Sequence, residues 1–291
     1  MRNVGARARQ VEGAALILVL MVIGVLSILM LQVGLTARKN VGDAQQLQDR
    51  AEAWLRLQSR EAALEFSLLT QEWVPSPRGA ANPYADAWNF RGQTFSVDEA
   101  QYRIQDIAGL APMPVPGQNT AALQTLLTNL GIEDTRAQDI ARQYQQLTGA
   151  RGQLGATPIQ SFGELLNLTD MTTDEVALLE SAATLYPVES FNPLTAAPAV
   201  LMTRSPGAIG DSLVAMQREG TLTREAYTQV TDGALDEFTA FYPGPGFRLE
   251  VIVTVNGVSQ TRRSTIVAQP YSAEPLVIWS RQRIRGPGGS S

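Results

Sequence analysis

Two amino-acid types are absent from this sequence of 291 residues, which contains no cysteine and no histidine. The absence of cysteine excludes a disulfide framework and a thiolate metal site. The absence of histidine excludes Ser-His-Asp and Cys-His catalysis, imidazole-bound zinc and histidine proton shuttling. Serine and acidic side chains remain, but their arrangement indicates neither an activated nucleophile nor a metal cluster. We therefore interpret the chain as a protein that is not an enzyme.

Positive charge is also sparse, since no lysine occurs after Lys39 and the formal net charge is −5. Proteins that hold nucleic acid neutralise its phosphates with clustered lysine and arginine. Two segments resemble pieces of helix-hairpin-helix modules, TNLGI at Thr128–Ile132 and FNPLTAAPAVLM at Phe191–Met202. Acids such as Glu133 and Asp134 flank the first segment. We predict that these segments serve packing and that the chain has no nucleic-acid partner.

One long apolar run, Gly13–Thr36, reads GAALILVLMVIGVLSILMLQVGLT and carries no charged residue. At a rise of 1.5 Å per residue, a helix of this length crosses a hydrocarbon layer of roughly 30 Å. Arg2, Arg7 and Arg9 precede the run against a single acid, Glu12. The positive-inside rule then keeps the leader in the cytoplasm and sends the rest of the chain outward. The sequence therefore predicts a single-pass membrane protein.

The order of residues around Gly13 resembles a type IV prepilin signal. Its small residue stands before the apolar run, and no A-x-A site follows the run as it would in a secretory signal. The peptidase of such signals cuts on the cytoplasmic side and leaves the helix attached. The resemblance places cleavage between Gly13 and Ala14. A simple signal anchor is the alternative that composition alone favours.

The helical pattern continues beyond the span to Trp73, where Pro75 and Pro77 end it. Apolar residues recur at spacings of three and four, at Leu47, Ala51, Trp54, Leu55, Ala62, Phe66 and Leu69. We predict one helix whose outer half lays this apolar face on a globular domain. A break near Gly42 is the alternative.

Beyond this helix the sequence pattern changes from strand to short helices and back to strand. A candidate strand around Tyr102 and Ile104 leads, after a break rich in proline and glycine, into leucine-patterned helices from about residue 120 to 201. Gly131 is a predicted helix C-cap, and Thr172 or Thr173 a predicted N-cap. The C-terminal part alternates as strand in FRLEVIVTV, turns at Asn256-Gly257 and returns as SQTRRSTIVAQ, with PLVIWSRQR as a third strand.

This order of parts resembles the GspK-type minor pseudopilins of type II secretion systems. The resemblance rests on the AALILVL start after Gly13, on YRIQDIAGL and FNPLTAAPAVLM at the two ends of the helical insert, and on the C-terminal strands. It implies an α+β fold: a pilin-like long N-terminal helix and antiparallel sheet, with a large inserted all-α module of the helix-hairpin-helix or SAM-like kind.

The resemblance divides the chain into six segments. They are the prepilin leader (1–13), the transmembrane half of the N-terminal helix (14–36), the outer helix half with the start of the pilin-like domain (37–118), the inserted α-helical module (119–202), the C-terminal part of the pilin-like domain with its antiparallel sheet (203–285) and a flexible tail (286–291).

The resemblance also implies a function: initiating and capping the pseudopilus at its tip, for export of folded proteins across the outer membrane. Pilins and major pseudopilins carry a glutamate at the fifth mature position, where this chain has Leu18. A carboxylate in the bilayer costs about 2.5–3.5 kcal/mol unless a partner neutralises it. In a filament that partner is the N-terminal amine of the subunit above. The loss of the glutamate therefore fits a subunit with nothing above it.

The implied partners are the other minor pseudopilins of the I and J types, the major pseudopilin, the prepilin peptidase and the inner-membrane assembly platform. The implied location is the bacterial inner membrane with the C-terminal domain in the periplasm, and the implied modification is methylation. No cofactor is expected from the residues themselves. The family resemblance implies calcium, but no D-x-D-x-D loop occurs and acids such as Asp170, Asp174 and Glu175 suit a helix start, so no ligands are assigned. A minor pilin of a type IV pilus or competence system, or a signal-anchored periplasmic adaptor, are the alternative functions.

Overall fold

The computed structural model describes residues 5–74, 82–115, 118–154, 159–233 and 237–284, without the side chains of 5–15 and 150–154. The chain divides into two compact units, Met1–Leu55 with Thr254–Ser259, and Arg56–Val253 with Gln260–Ser291. The predicted α+β fold class is confirmed, because a long N-terminal helix, an antiparallel sheet and a set of further helices are all present. The tail 286–291 lies outside the described residues.

The first helix, α1, spans Gly5–Thr70 and has no break at Gly42. A Cβ at that glycine would meet nothing within 4 Å, so the position is open and tolerated at a cost of about 1 kcal/mol. The prediction of a single helix is confirmed, with its end three residues before Trp73. The indole N–H of Trp73 donates to the carbonyl of Leu68 (2.7 Å), which satisfies one of the orphan acceptors of the last turn.

In the described part of the chain the sheet has five strands, in the order β1-β2-β5-β6-β7. Its strands are β1 (Phe95–Val97), β2 (Ala100–Asp106), β5 (Gly246–Val255), β6 (Val258–Ala268) and β7 (Leu276–Ile284). The β1–β2, β2–β5 and β6–β7 pairs are antiparallel. A separate two-stranded parallel pair, which the sequence did not predict, joins β3 (Ala111–Pro112) to β4 (Ala183–Thr184).

The turn between β5 and β6 confirms the predicted hairpin. Asn256 and Gly257 both have positive φ, +47° and +82°. A type I′ turn requires this backbone at its two central residues, and its twist matches that of the flanking strands. Within the same unit, the Asn256 side-chain amide donates to Asp49 of α1 at 2.9 Å, so the turn is tied to the helix.

The helix face that packs on the domain differs from the predicted one. In the second unit, the buried residues of α1 are Leu57, Glu61, Leu64, Ser67 and Leu68, and Glu61 contacts arginines of β6 and β7. Of the predicted apolar positions, Leu47, Ala51, Leu55, Ala62 and Phe66 are exposed. The prediction of the buried face was wrong because the helix carries two apolar stripes, and the ionic partners of Glu61 select the other one.

Among the described residues between β3 and β5 there are seven helices and one 3-10 turn. They are α3 (Ala121–Asn129), α4 (Asp134–Leu154), α5 (Leu165–Leu168), α6 (Thr173–Ala182), α7 (Pro198–Arg204), α8 (Ala208–Glu219) and α9 (Arg224–Val230). One hydrophobic core joins them, built around Leu126, Leu127, Ile140, Leu179 and Leu213. The insert is mainly helical as predicted, but it is not all-α, because it also contributes β4 to the parallel pair with β3. The core includes side chains of α8 and α9, which lie beyond residue 202, and the six segment boundaries remain a prediction.

Local signals in this module match the predicted caps. Gly131 has φ +91° directly after α3, a left-handed conformation that favours glycine. Thr172 caps α6 by accepting from the amide of Glu175, whose carboxylate accepts from the amide of Thr172 in return. Two local elements were not predicted: a 3-10 turn begins at Ile107 directly after β2, and a short helix, α2 (Pro83–Ala87), follows Asn82.

Candidate functional site

The apolar segment of α1 is exposed along its described length. It is long and apolar enough to cross a membrane, and its large apolar side chains from Leu16 to Leu35 are exposed. Leu18, at the position of the missing glutamate, is 65% exposed. Gly13 and Ala14 lie within α1 where the structure describes no side chains, so cleavage between them stays a prediction.

The outer part of α1 has a second set of exposed apolar side chains. In the first unit these are Val41, Leu47 and Leu55, and in the second unit Phe66. Isolated exposed apolar residues are normal on protein surfaces, and these four side chains are exposed in the described structure. They add uncharged surface to the outer part of α1.

Four charged side chains join α1 to the sheet in the second unit. Arg262 of β6 contacts Glu61 (2.5 Å), and Arg281 of β7 contacts both Glu61 (3.1 Å) and Glu65 (2.5 Å). Burial raises the pKa of the Glu65 carboxyl, and the positive charge of Arg281 opposes that rise. Glu61 was not among the residues predicted to face the domain. Its spacing with Leu57, Leu64 and Leu68 was the signal that it belonged to the buried face.

A buried carboxylate connects the two ends of the helical module to each other through hydrogen bonds. Asp106, at the end of β2, accepts hydrogen bonds from the side chains of Thr195 (2.8 Å) and Asn192 (3.0 Å) and from the amides of Ala108 (3.0 Å) and Gly244 (3.2 Å). Burial raises the pKa of the Asp106 carboxyl, and the four donors oppose that rise. The side chain thus joins the start of the insert, its closing loop and the segment leading into β5.

The other face of the sheet carries a second charged cluster against α6. The partly buried Arg248 donates to the carbonyls of Glu180 (2.5 Å) and Ala183 (2.9 Å) at the C-terminus of α6, where a cation is favourable. Burial lowers the pKa of Arg248 to about 10. Arg263 bridges the carboxylates of Glu180 (2.7 Å) and Glu250 (2.8 Å). These contacts fix the module on the sheet.

A cleft of about 380 Å³ lies beside this cluster, between the module and β7. Its apolar wall comes from Phe162, Leu166, Val176 and Leu185, and the strand contributes Ser280, Gln282 and Ile284. The sequence analysis did not find this cleft, since its two walls are more than 90 residues apart in the chain.

No group of three or more His, Cys, Asp or Glu side chains able to hold a metal occurs among the described residues. Asp170 and Glu175 instead share Arg136, which reaches Glu175 at 2.8 Å and Asp170 at 2.9 Å. Glu175 lies in the first turn of α6, as predicted, whereas Asp170 lies two residues before the N-cap, Thr172. Calcium binding remains untested.

The fold and these surfaces define an α+β protein with an exposed apolar N-terminal helix and an inserted helical module. No protein-family model matches the sequence, and no curated protein matches it. Among solved structures, a chain of the GspK-GspI-GspJ complex from the type 2 secretion system of enterotoxigenic Escherichia coli is similar to it. The similarity has a TM-score of 0.47 and 14% sequence identity, over 84% of this chain and 99% of that chain.

Proposed function

We propose that this chain is a minor pseudopilin of the GspK type, which initiates and caps the pseudopilus of a type II secretion system. The observation that carries the proposal is a single helix, α1, whose first part is an exposed apolar segment and whose last part packs on an antiparallel sheet. This combination supports a subunit held in the membrane and joined to others by its helix. The helical module between β3 and β5 supports the GspK type within that class.

The charge distribution along α1 supports the assembly role. Leu18 places no carboxylate in the membrane, so the subunit needs no N-terminal amine above it for neutralisation. Val41, Leu47, Leu55 and Phe66 present uncharged surface on the outer part of the helix. Helices of the I and J minor pseudopilins, and then of the major pseudopilin, are the proposed partners for this surface. The inner-membrane assembly platform and the prepilin peptidase are the proposed partners before and during insertion.

The proposed location is the bacterial inner membrane with the globular domain in the periplasm. Cleavage between Gly13 and Ala14, with methylation of the new N-terminus, belongs to the same proposal. No catalytic step is assigned to the chain. A minor pilin of a type IV pilus, or a signal-anchored adaptor, is the competing function, and the size of the module disfavours the first because small pilins place a sheet directly after the long helix.

The test begins with the N-terminus of the protein in membranes of cells that also make a prepilin peptidase. Intact mass and N-terminal sequencing should show a chain that starts at Ala14. A chain that still starts at Met1 would return the protein to the signal-anchor class. Co-purification with the I and J minor pseudopilins from detergent then separates the tip role from that of a pilus subunit. If the protein binds neither of them, the tip role is contradicted.

A further inference from the structure

The last strand of the sheet, β7, has an open edge. It pairs with β6 on one side, and along its other side no strand pairs with it in the described part of the chain. Alternate residues of an edge strand direct their N–H and C=O groups away from the sheet, where they can pair with another chain. This edge is nine residues long, well above the three residues of the opposite edge strand, β1.

A bulge limits the regular part of that edge to five residues. Ile278 pairs with Ile266 and Ser280 with Thr265, so Trp279 is the extra residue. Its indole ring stacks on Tyr186 of the helical module, with centroids 4.9 Å apart and an interplanar angle of 17°. The stack holds one end of the edge against the module, and the regular stretch that remains is Ser280–Ile284.

The side chains of this stretch face two different environments. Ser280, Gln282 and Ile284 line the 380 Å³ cleft, whose far wall is apolar and includes Phe162 and Leu166. Arg281 points to the opposite face, toward α1, and retains 35% side-chain exposure while it pairs with Glu61 and Glu65. A strand added here would place alternate side chains in the cleft and beside Arg281.

We propose that Ser280–Ile284 is a docking edge for an extended segment of another polypeptide in which apolar and acidic residues alternate. The backbone edge selects an extended chain, and the cleft takes its apolar side chains. On the other face, the exposed Arg283 beside Arg281 favours acids through cross-strand charge pairing. Arginines and bulges on edge strands also discourage unselective pairing, which makes the edge selective for acidic strands. The proposal rests on the sheet geometry and is independent of the role in secretion.

The test uses cysteine crosslinking, because the chain has no cysteine of its own. The full-length protein in detergent carries Gln282→Cys on β7, or Gln101→Cys as the matched control. Gln101 is exposed on the same sheet face, but its strand, β2, lies between β1 and β5. The probe is the synthetic peptide Ser-Val-Glu-Cys-Glu-Val-Ser. We expect it to form a disulfide at residue 282 at least about tenfold faster than at 101, since two or three backbone hydrogen bonds hold it at the edge.

Two peptide variants separate strand addition from unselective capture. N-methylation of alternate amides keeps the side chains and removes edge donors, and it should lower the rate at residue 282 by about tenfold. Replacing both glutamates by lysine should also lower it. Equal rates at the two cysteines, an unchanged rate after N-methylation, or a disulfide-linked dimer of the Gln282→Cys protein in preference to the peptide adduct would each overturn the proposal.

Amide hydrogen exchange on the unmodified protein provides a readout free of any substitution. The cysteine-free peptide Ser-Val-Glu-Val-Glu-Val-Ser should slow exchange at alternate residues within 280–284. Unchanged exchange there at a peptide concentration that saturates crosslinking contradicts the proposal.

Discussion

The Nη1 atom of Arg262 lies 2.5 Å from Oε2 of Glu61, although 201 residues separate the two side chains in the sequence. Both are nearly inaccessible to solvent, with Glu61 only 2% exposed. Burial removes hydration from both charges, so each depends on the other for compensation. Because Glu61 belongs to α1 and Arg262 to β6, their contact sets which helix face meets the sheet.

Removing the carboxylate charge at this contact should strongly destabilise the second unit. Glu61→Gln keeps the shape of the side chain and leaves Arg262 buried without its counter-charge. Breaking one partner of a buried pair costs about 3–5 kcal/mol. We expect a loss of that size in the free energy of unfolding, measured by urea titration of the full-length protein in detergent.

An exposed pair provides the control for Glu61→Gln. The side chains of Arg60 and Asp98 lie 2.7 Å apart and are 35% and 59% exposed. Asp98→Asn should therefore cost less than about 1 kcal/mol in the free energy of unfolding. The double variant Glu61→Leu/Arg262→Met removes both buried charges and should recover most of the loss. A double variant as unstable as Glu61→Gln would show that apolar packing at this position cannot replace the pair.

Asp106 provides a second stability prediction. Asp106→Ala would leave the donors of Thr195, Asn192, Ala108 and Gly244 without their acceptor in a buried site. Each unsatisfied buried group costs about 1–3 kcal/mol, so we expect a loss of several kcal/mol in the free energy of unfolding. Backbone amide exchange at Ala108 and Gly244 should rise with it, because both amides donate to Asp106. Asp86→Ala, at an exposed aspartate of α2, should leave both quantities near their original values.

Glu175 should make stability depend on pH in the acid range. Hydrogen bonds from the Arg136 guanidinium lower the pKa of Glu175 to about 2, from an ordinary value of 4.5. The folded state therefore favours the ionised carboxylate, and this stabilisation is present above pH 4.5 and is lost as the pH falls toward 2. The free energy of unfolding of the wild type should exceed that of Glu175→Gln by about 1 kcal/mol at neutral pH. This difference should shrink as the pH falls from 4.5 toward 2.

Thr172→Ala is the matched control for the pH experiment. It removes the cap hydroxyl of α6 and should cost about 1 kcal/mol, while the hydrogen bonds from Arg136, the largest cause of the lowered pKa of Glu175, stay in place. Its difference from the wild type should therefore vary with pH much less than that of Glu175→Gln. A difference for Glu175→Gln that varies no more than that of Thr172→Ala would contradict the assigned pKa.

Local patterns explain which parts of the fold were predictable. The hairpin at Asn256-Gly257, the cap at Thr172 and the left-handed Gly131 are set by neighbouring residues, and all three are present. The face of α1 that packs on the sheet could not be predicted in this way. It depends on Arg262 and Arg281, roughly 200 residues later, which turn the apparently polar Glu61 into a buried residue.

The same reasoning applies to the candidate surfaces. The apolar segment around Leu18 is contiguous in sequence, so its exposure followed from composition. The cleft beside β7 needs Phe162 and Gln282 to meet across the fold, and the bulge at Trp279 depends on the register with β6. Register and long-range contact carry no signature in a single stretch of sequence.

Two neighbouring residues of α1 should separate folding from assembly. Leu64 is fully buried and Phe66 is 64% exposed, both within the second unit. Leu64→Ala should cost about 2–5 kcal/mol of unfolding free energy because it opens a cavity in the core. Phe66→Ala should change stability by less than about 0.5 kcal/mol but lower co-purification with the I and J minor pseudopilins. Undiminished co-purification would remove Phe66 from the proposed helix surface.

Replacing Gly13 tests whether processing precedes assembly. The prepilin reading makes this glycine the residue before the cut, so Gly13→Leu should leave the protein in the membrane with residues 1–13 still attached. Gly24→Leu is the control within the same helix, since a Cβ at Gly24 meets nothing within 4 Å and the apolar segment stays intact. Intact mass should show the processed form for Gly24→Leu and the full-length form for Gly13→Leu.

Retained charges of Arg2, Arg7 and Arg9 would then hold the N-terminus at the cytoplasmic face, so secretion should fail for Gly13→Leu alone. Normal secretion by an uncleaved chain would contradict the tip role.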